Sequence, residues 1–216
     1  MQKYQLDIAP FSILIFMILS SLVAGQVKGP GPCRRDITYL SSVDLQAFKG
    51  SWYMHSGYIV PDDGDYRCQK TIYTLGHNNE IEVKSFQIRN FDGAADVRTG
   101  TLTFFPDGQF QTNYNERHAL EPITYKILSL DYEKYVIFYA CVNLPSARHA
   151  EYLEIHTRRS EPPEDVINAY TNFLNEKRIS TGHLAPTIHE DCGRYGRSDT
   201  EQLKKVREER ARRVRC

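Results

Sequence analysis

Glu154 and His156 lie two positions apart in the segment HAEYLEIHTR (149–158), and they are the residues best placed to do acid–base or binding chemistry. On a β-strand alternate residues share a face. A carboxylate and an imidazole so spaced can pair with each other or with an ionisable ligand, and the histidine makes such binding sensitive to pH. If a bulge or a one-residue shift instead turns Leu153 and Ile155 inward, both polar side chains fall in water and Arg159 takes the inward place of Arg158. The other histidines, His55, His77, His118, His149, His183 and His189, show no metal-ligand spacing. No Ser-His-Asp arrangement, phosphate loop or paired carboxylates accompany them, so the expectation is no catalytic residue, no metal and no cofactor.

The chain has five cysteines, Cys33, Cys68, Cys141, Cys192 and Cys216. No two are close, which argues against zinc and for two structural disulfides with one thiol left over. The spacing alone leaves the pairing open. Residues 11–23, FSILIFMILSSLV, form an uncharged apolar run preceded by Lys3 and followed by the small residues Ala24 and Gly25. That pattern predicts a cleaved secretory signal peptide over 1–25 and an extracellular protein, the run being short of the roughly 20 residues a membrane anchor needs. One domain is expected over 26–196. Formal net charge is zero, but residues 197–216 carry eight Lys/Arg against four Asp/Glu. This basic tail reads as a solvated extension, or alternatively as a contact for anionic membranes or other polyanions. Cys216, at its end, is a candidate for a disulfide-linked dimer. Nothing in the body of the chain points to nucleic acid.

The elements that must position Glu154 and His156 are strands. Between Gly50 and Arg158, short segments rich in Tyr, Phe, Val, Ile and Thr alternate with turn signals such as PDDGD, NFDGAA and FPDGQ. Eight or so regularly spaced strands imply an antiparallel sandwich or an up-and-down barrel. In EIEVKSFQI the apolar residues change parity around Ser85, which predicts a bulge there. One helix is expected in EPPEDVINAYTNFLNEKR (161–178), with prolines and acids in its first turn and Val166, Ile167, Tyr170, Phe173 and Leu174 on one face.

Gly50-Ser51-Trp52 near the start of the first long strand, Leu130-Asp131-Tyr132 before a late strand, and Arg158 just ahead of a Pro-Pro helix resemble the three signature regions of the lipocalins. YKILSLDYEKYVIFYAC (125–141) and HAEYLEIHTR followed by PPEDV are similar to the apolipoprotein D and insect bilin-binding (insecticyanin-like) branch. The resemblance spans about Cys33 to Cys192. It implies an all-β protein: an eight-stranded antiparallel up-and-down barrel with one C-terminal helix packed outside. It also implies the bridges Cys33–Cys141 and Cys68–Cys192. Trp52 would cover the barrel floor with Arg158 stacked on its indole, Gly50 would let the backbone approach closely, and Asp131 and Tyr132 would lie at the same closed end. Leu130 departs from the family's usual Thr.

The implied function is a carrier that holds a small hydrophobic ligand such as a lipid, retinoid, steroid-like compound or bilin. The alternatives are an interaction or mediator-scavenging protein acting through rim loops and tail, and an isomerase using a cavity cysteine. Strand parity places Met54 and Tyr58 inward if Trp52 is inward, and Val136 and Phe138 inward if Cys141 is outward. With Tyr73, Phe86, His118, Tyr125, Tyr152, Glu154 and His156 they make up the candidate ligand-binding set.

Overall fold

The computed structural model describes residues 27–58, 66–76, 80–115 and 123–193. The apolar leader, the basic tail with Cys216, and His118 lie outside the described residues.

The β-branched and aromatic segments form long antiparallel strands, because side chains of these types pack well on a pleated, half-buried surface. In chain order the elements are β1 (Val27–Pro30), α1 (Leu45–Phe48), β2 (Gly50–Tyr58), β3 (Tyr66–Leu75), β4 (Ile81–Arg89), β5 (Ala95–Phe104), β6 (Phe110–Tyr114), β7 (Lys126–Asp131), β8 (Tyr135–Leu144), β9 (Arg148–Thr157), α2 (Glu164–Glu176) and β10 (Leu184–Pro186). The sheet runs β6-β5-β4-β3-β2-β9-β8-β7. Its two edges meet at the bridge Phe110↔Tyr125, where each backbone N–H donates to the other's carbonyl at 2.9 and 2.8 Å. The eight long strands thus wrap into an up-and-down barrel. The short β1 and β10 add to the rims of β9 and β2 respectively.

The two faces of the wall build separate cores. Outside, Ile137, Tyr139, Leu153 and Ile155 pack against Tyr170 and Leu174 of α2. Inside and toward the closed end, Trp52, Phe48, Tyr73, Ile81, Val83, Leu102, Phe110, Val136 and Phe138 form the second. Helix α2 starts after Pro163, has Glu164 and Asp165 in its first turn and stops where Arg178 takes φ 54°. The bridges Cys33–Cys141 and Cys68–Cys192 form as the resemblance implied. They span 108 and 124 residues, so restriction of the unfolded chain gives each up to about 5 kcal/mol in the loop-entropy model.

Two expected facings change. In β2 the register against β9 shifts between Met54 and Ser56, and this bulge inverts the parity of everything after it. Tyr58 consequently turns outward and its hydroxyl donates to the Ser180 carbonyl, while His55, outward by ordinary alternation, bonds Tyr170 of α2 at 3.0 Å. Tyr58 belongs to the outer core, not to the interior. In β4 there is no bulge at Ser85: pairing with β5 is unbroken from Ile81↔Leu102 to Ile88↔Ala95. The apolar pattern changes parity because the strand serves two cores, with Ile81 and Val83 inside and Ile88 outside against the Cys68–Cys192 bridge. Phe86 shares the parity of Ile88 and lies outside, beneath the Lys84 ammonium at 5.2 Å from its ring centre.

Candidate ligand site

The site begins with its floor. Trp52 is completely buried and donates its indole N–H to the Phe48 carbonyl at 2.9 Å. The Arg158 guanidinium lies 3.7 Å from the centre of the Trp52 ring, a contact of about 0.5–2 kcal/mol depending on desolvation. Its N–H groups donate to carbonyls of Tyr132 at 2.7 Å, Ala47 at 3.0 Å, and Lys49 and Ser51 at 3.1 Å. Gly50 permits this approach: it sits at φ 103°, and a Cβ there would lie 3.2 Å from the guanidinium. The neighbouring turn is held by the Asp131 carboxylate, which accepts from the Glu133 N–H at 3.0 Å. The Tyr132 hydroxyl accepts from the Asp44 N–H at 2.8 Å. With these bonds in place, Leu130 leaves the turn intact and packs on the inner core instead.

Above the floor the inner wall is aromatic. Phe110 stacks on Tyr125 with ring centres 5.8 Å apart, and meets Phe138 edge-on at 5.3 Å. Tyr125 meets Tyr152 edge-on at 6.5 Å. Within this wall the carboxylate of Glu154 accepts from the Tyr125 hydroxyl at 3.0 Å and pairs with His156 Nε2 at 3.0 Å. The His156 ring lies edge-on to Phe138 at 5.1 Å. Leu153 and Ile155 point the opposite way, into the outer core, so the inward facing of Glu154 and His156 is the one the fold adopts. Glu154 keeps 34% of its side chain accessible, whereas His156 keeps 7%. Since Glu154 faces the barrel interior, its accessible surface borders a hollow within the barrel.

Burial alone would raise the Glu154 carboxyl, but the hydrogen bond and charge of His156 and the hydrogen bond from Tyr125 outweigh it and hold the group below its ordinary value. Burial, reinforced by the charge of Glu154, pushes the Tyr125 phenol well above its ordinary value, so it stays a neutral donor. The arrangement is an ionised carboxylate with two donors in place, set in an aromatic wall. It has the elements to orient a ligand.

Of the other predicted residues, Val136 and Phe138 are buried in the inner core, with Tyr73 beside Phe48 at 4.9 Å between ring centres. Met54 pairs with His156 across β2 and β9. Tyr58 and Phe86 lie outside, as described, and His118 is outside the described residues. The sequence reading missed a second inward polar group nearer the open end. Gln87 donates to Asp96 at 2.8 Å, Asp96 pairs with Arg98 at 3.1 Å, and Ser85 links Thr71 and Tyr114 through hydroxyl contacts of 3.1 and 3.0 Å. The cross-strand register Ser85↔Arg98 and Gln87↔Asp96 brings them together. The sequence signal was the polar parity of 85 and 87 on one strand and 96 and 98 on the next, legible once no bulge separates them.

The chain was compared with known proteins. It is 24% identical to apolipoprotein D of Macaca fascicularis over 85% of this chain and 99% of that protein, and 23% identical to that of Cavia porcellus over 83% and 96%. Among solved structures it is similar to insecticyanin from the tobacco hornworm Manduca sexta, with TM-score 0.69, 18% identity and 77% and 91% of the two chains covered. Lobster apocrustacyanin A1 gives TM-score 0.60 at 19% identity, with 78% and 92% covered. At such identities the structural likeness establishes the fold. The sequence model of the lipocalin / cytosolic fatty-acid binding protein family matches residues 49–187, most of the barrel together with α2 and β10, and the chain belongs to that family.

Proposed function

We propose that the protein is a secreted carrier that holds one small hydrophobic ligand inside the barrel. The observation that carries this reading is the accessible third of Glu154 inside a barrel whose floor is sealed by Trp52 and Arg158. An apolar ligand entering such a hollow gains about 25 cal/mol for each Å² removed from water, and a few convergent polar groups fix its orientation. Among the ligands named by the resemblance, those with a flat apolar body fit an aromatic wall of this kind. Two long-range disulfides and the apolar run at 11–23 favour export, with the domain over 26–196 and 197–216 as a basic extension. The Cys68–Cys192 bridge favours the carrier over an isomerase, which would need Cys68 as a free thiol.

The test is native mass spectrometry of protein from its natural source, followed by organic extraction. One bound small molecule per barrel is expected. Protein that is empty as isolated and then takes up no apolar probe overturns the carrier reading. Export is tested separately in secretory cells: the medium should contain a chain beginning near Gln26, and retention of an unprocessed chain inside the cells refutes export.

A further inference from the structure

Resting on the carrier reading, we infer that the ligand docks at Glu154 with a hydrogen-bond-donating head, a protonated amine on an apolar ring body, and that the barrel discriminates against carboxylates. Each carboxylate oxygen of Glu154 has one protein donor, Tyr125 Oη on one and His156 Nε2 on the other, both at 3.0 Å. An ionised carboxylate offers about four lone-pair sites, so acceptor capacity remains, and the accessible third of the side chain borders the hollow. Among the described residues, the donors in contact with the carboxylate, Tyr125 Oη and His156 Nε2, are already turned to Glu154 and so are not free for a ligand's acid group.

Among the described residues the inward cationic groups are paired or at the rim, beginning with His156, which is held by Glu154 itself at 3.0 Å. Arg98 is held by Asp96 at 3.1 Å, and Arg89 by Asp92 at 2.9 Å. Lys28 and Arg148, on positions of the same parity as Glu154, are exposed at the rim. The Tyr125 hydroxyl is already donated to Glu154. A carboxylate reaching the depth of Glu154 meets a like charge, which is repulsive even beside the imidazole of His156 and with a third of the Glu154 side chain accessible. An ammonium there gains a charge-assisted hydrogen bond, the stronger kind. The rings of Tyr125, Tyr152, Phe110 and Phe138 around it accept a flat apolar body, and their faces are also attractive to a cation.

Three probes with one apolar body separate the head groups: naphthylethylamine, naphthylethanol and naphthylacetate, each titrated calorimetrically into the full-length protein. The wild-type protein should bind the amine about tenfold or more tighter than the acetate, with the alcohol between them. Glu154→Gln should bring amine and acetate to within about threefold of each other while leaving the alcohol nearly unchanged. The wild-type ranking stands without any variant. Acetate binding as tight as amine binding, whether with its head at the rim or deep inside, overturns the inference while leaving the carrier reading intact. An amine preference that persists in folded Glu154→Gln overturns it too. Failure of all three probes to bind counts against the carrier reading itself, and the inference falls with it.

Discussion

Strand β9 and the residue just past its end place two charged side chains on the barrel interior four residues apart, and they behave differently. Arg158, at the closed end, donates to carbonyls of Ala47, Lys49, Ser51 and Tyr132, so its partners are backbone atoms from separate segments of chain. Glu154, one layer up, is held by the side chains of Tyr125 and His156 and keeps a third of its surface accessible. A charge whose hydrogen bonds all go to backbone fixes the path of the chain. A charge held by side chains, with acceptor capacity left over, is available to something else. The kind of partner, more than the presence of charge, divides the structural end of this barrel from the layer proposed to hold the ligand.

If that division holds, substitutions at the floor should cost stability and those in the layer above should cost affinity. The largest effect is expected for Trp52→Ala, which empties a fully buried site beneath Arg158 and Phe48. Loss of about 3–5 kcal/mol is expected from large-to-small core substitutions, read by denaturant unfolding. A loss under 1 kcal/mol contradicts the floor assignment. Arg158→Lys keeps the charge but loses the planar fork that reaches several carbonyls at once. It should cost about 1–3 kcal/mol and leave the ligand affinity of the folded protein within about twofold. A variant that is fully stable but binds poorly would move Arg158 into the binding layer.

The floor was legible in the sequence because its parts are marked by residue type. One tryptophan follows a glycine, and an arginine precedes a Pro-Pro helix start, so the contact between Trp52 and Arg158 follows from the resemblance. The wall was legible only in part, because the face a side chain takes depends on an unbroken register. For β8 and β9, paired without interruption from Tyr135↔Thr157 to Leu144↔Arg148, parity placed Val136 and Phe138 inward, and of the two facings the sequence left open for Glu154 and His156 the unshifted one is adopted. For β2 the shift between Met54 and Ser56 reversed Tyr58. Sequence marks such a bulge weakly, since His55 and Ser56 are unremarkable strand residues. For β4 the error ran the other way: an apolar residue out of phase was read as a bulge when the strand was regular and Ile88 had an outer core to join.

These corrected facings give a test on affinity. Tyr152→Ser, in the inner wall beside Tyr125, should weaken naphthyl-probe binding by about threefold to tenfold, an aromatic contact being worth ~0.5–1.5 kcal/mol. Phe86→Ser, on the outer face under Lys84, should leave the affinity unchanged within about twofold. Equal losses from the two would mean that β4 turns its other face to the ligand.

The smallest effect expected is a difference in acid sensitivity. The Glu154 carboxyl of the folded protein lies below its ordinary value of 4.5, because the bonds from His156 and Tyr125 outweigh burial. The folded state therefore binds this proton less readily than the unfolded chain. The resulting stabilisation is complete above the unfolded value and is lost as pH falls through the folded one. The groups that set it are His156 of β9 and the Tyr125 hydroxyl just ahead of β7, and Tyr73 of β3 lies close enough to feel the carboxylate's charge. Below about pH 4.5 the melting temperature of the wild-type protein should fall more steeply than that of Glu154→Gln, which cannot take up the proton. Because a third of the side chain meets water, solvent screening keeps the difference small. Superimposable acid profiles for the two proteins would mean that Tyr125 and His156 do not hold Glu154 ionised, and the contrast between a donor-rich floor and an acceptor-bearing wall would then rest on geometry alone.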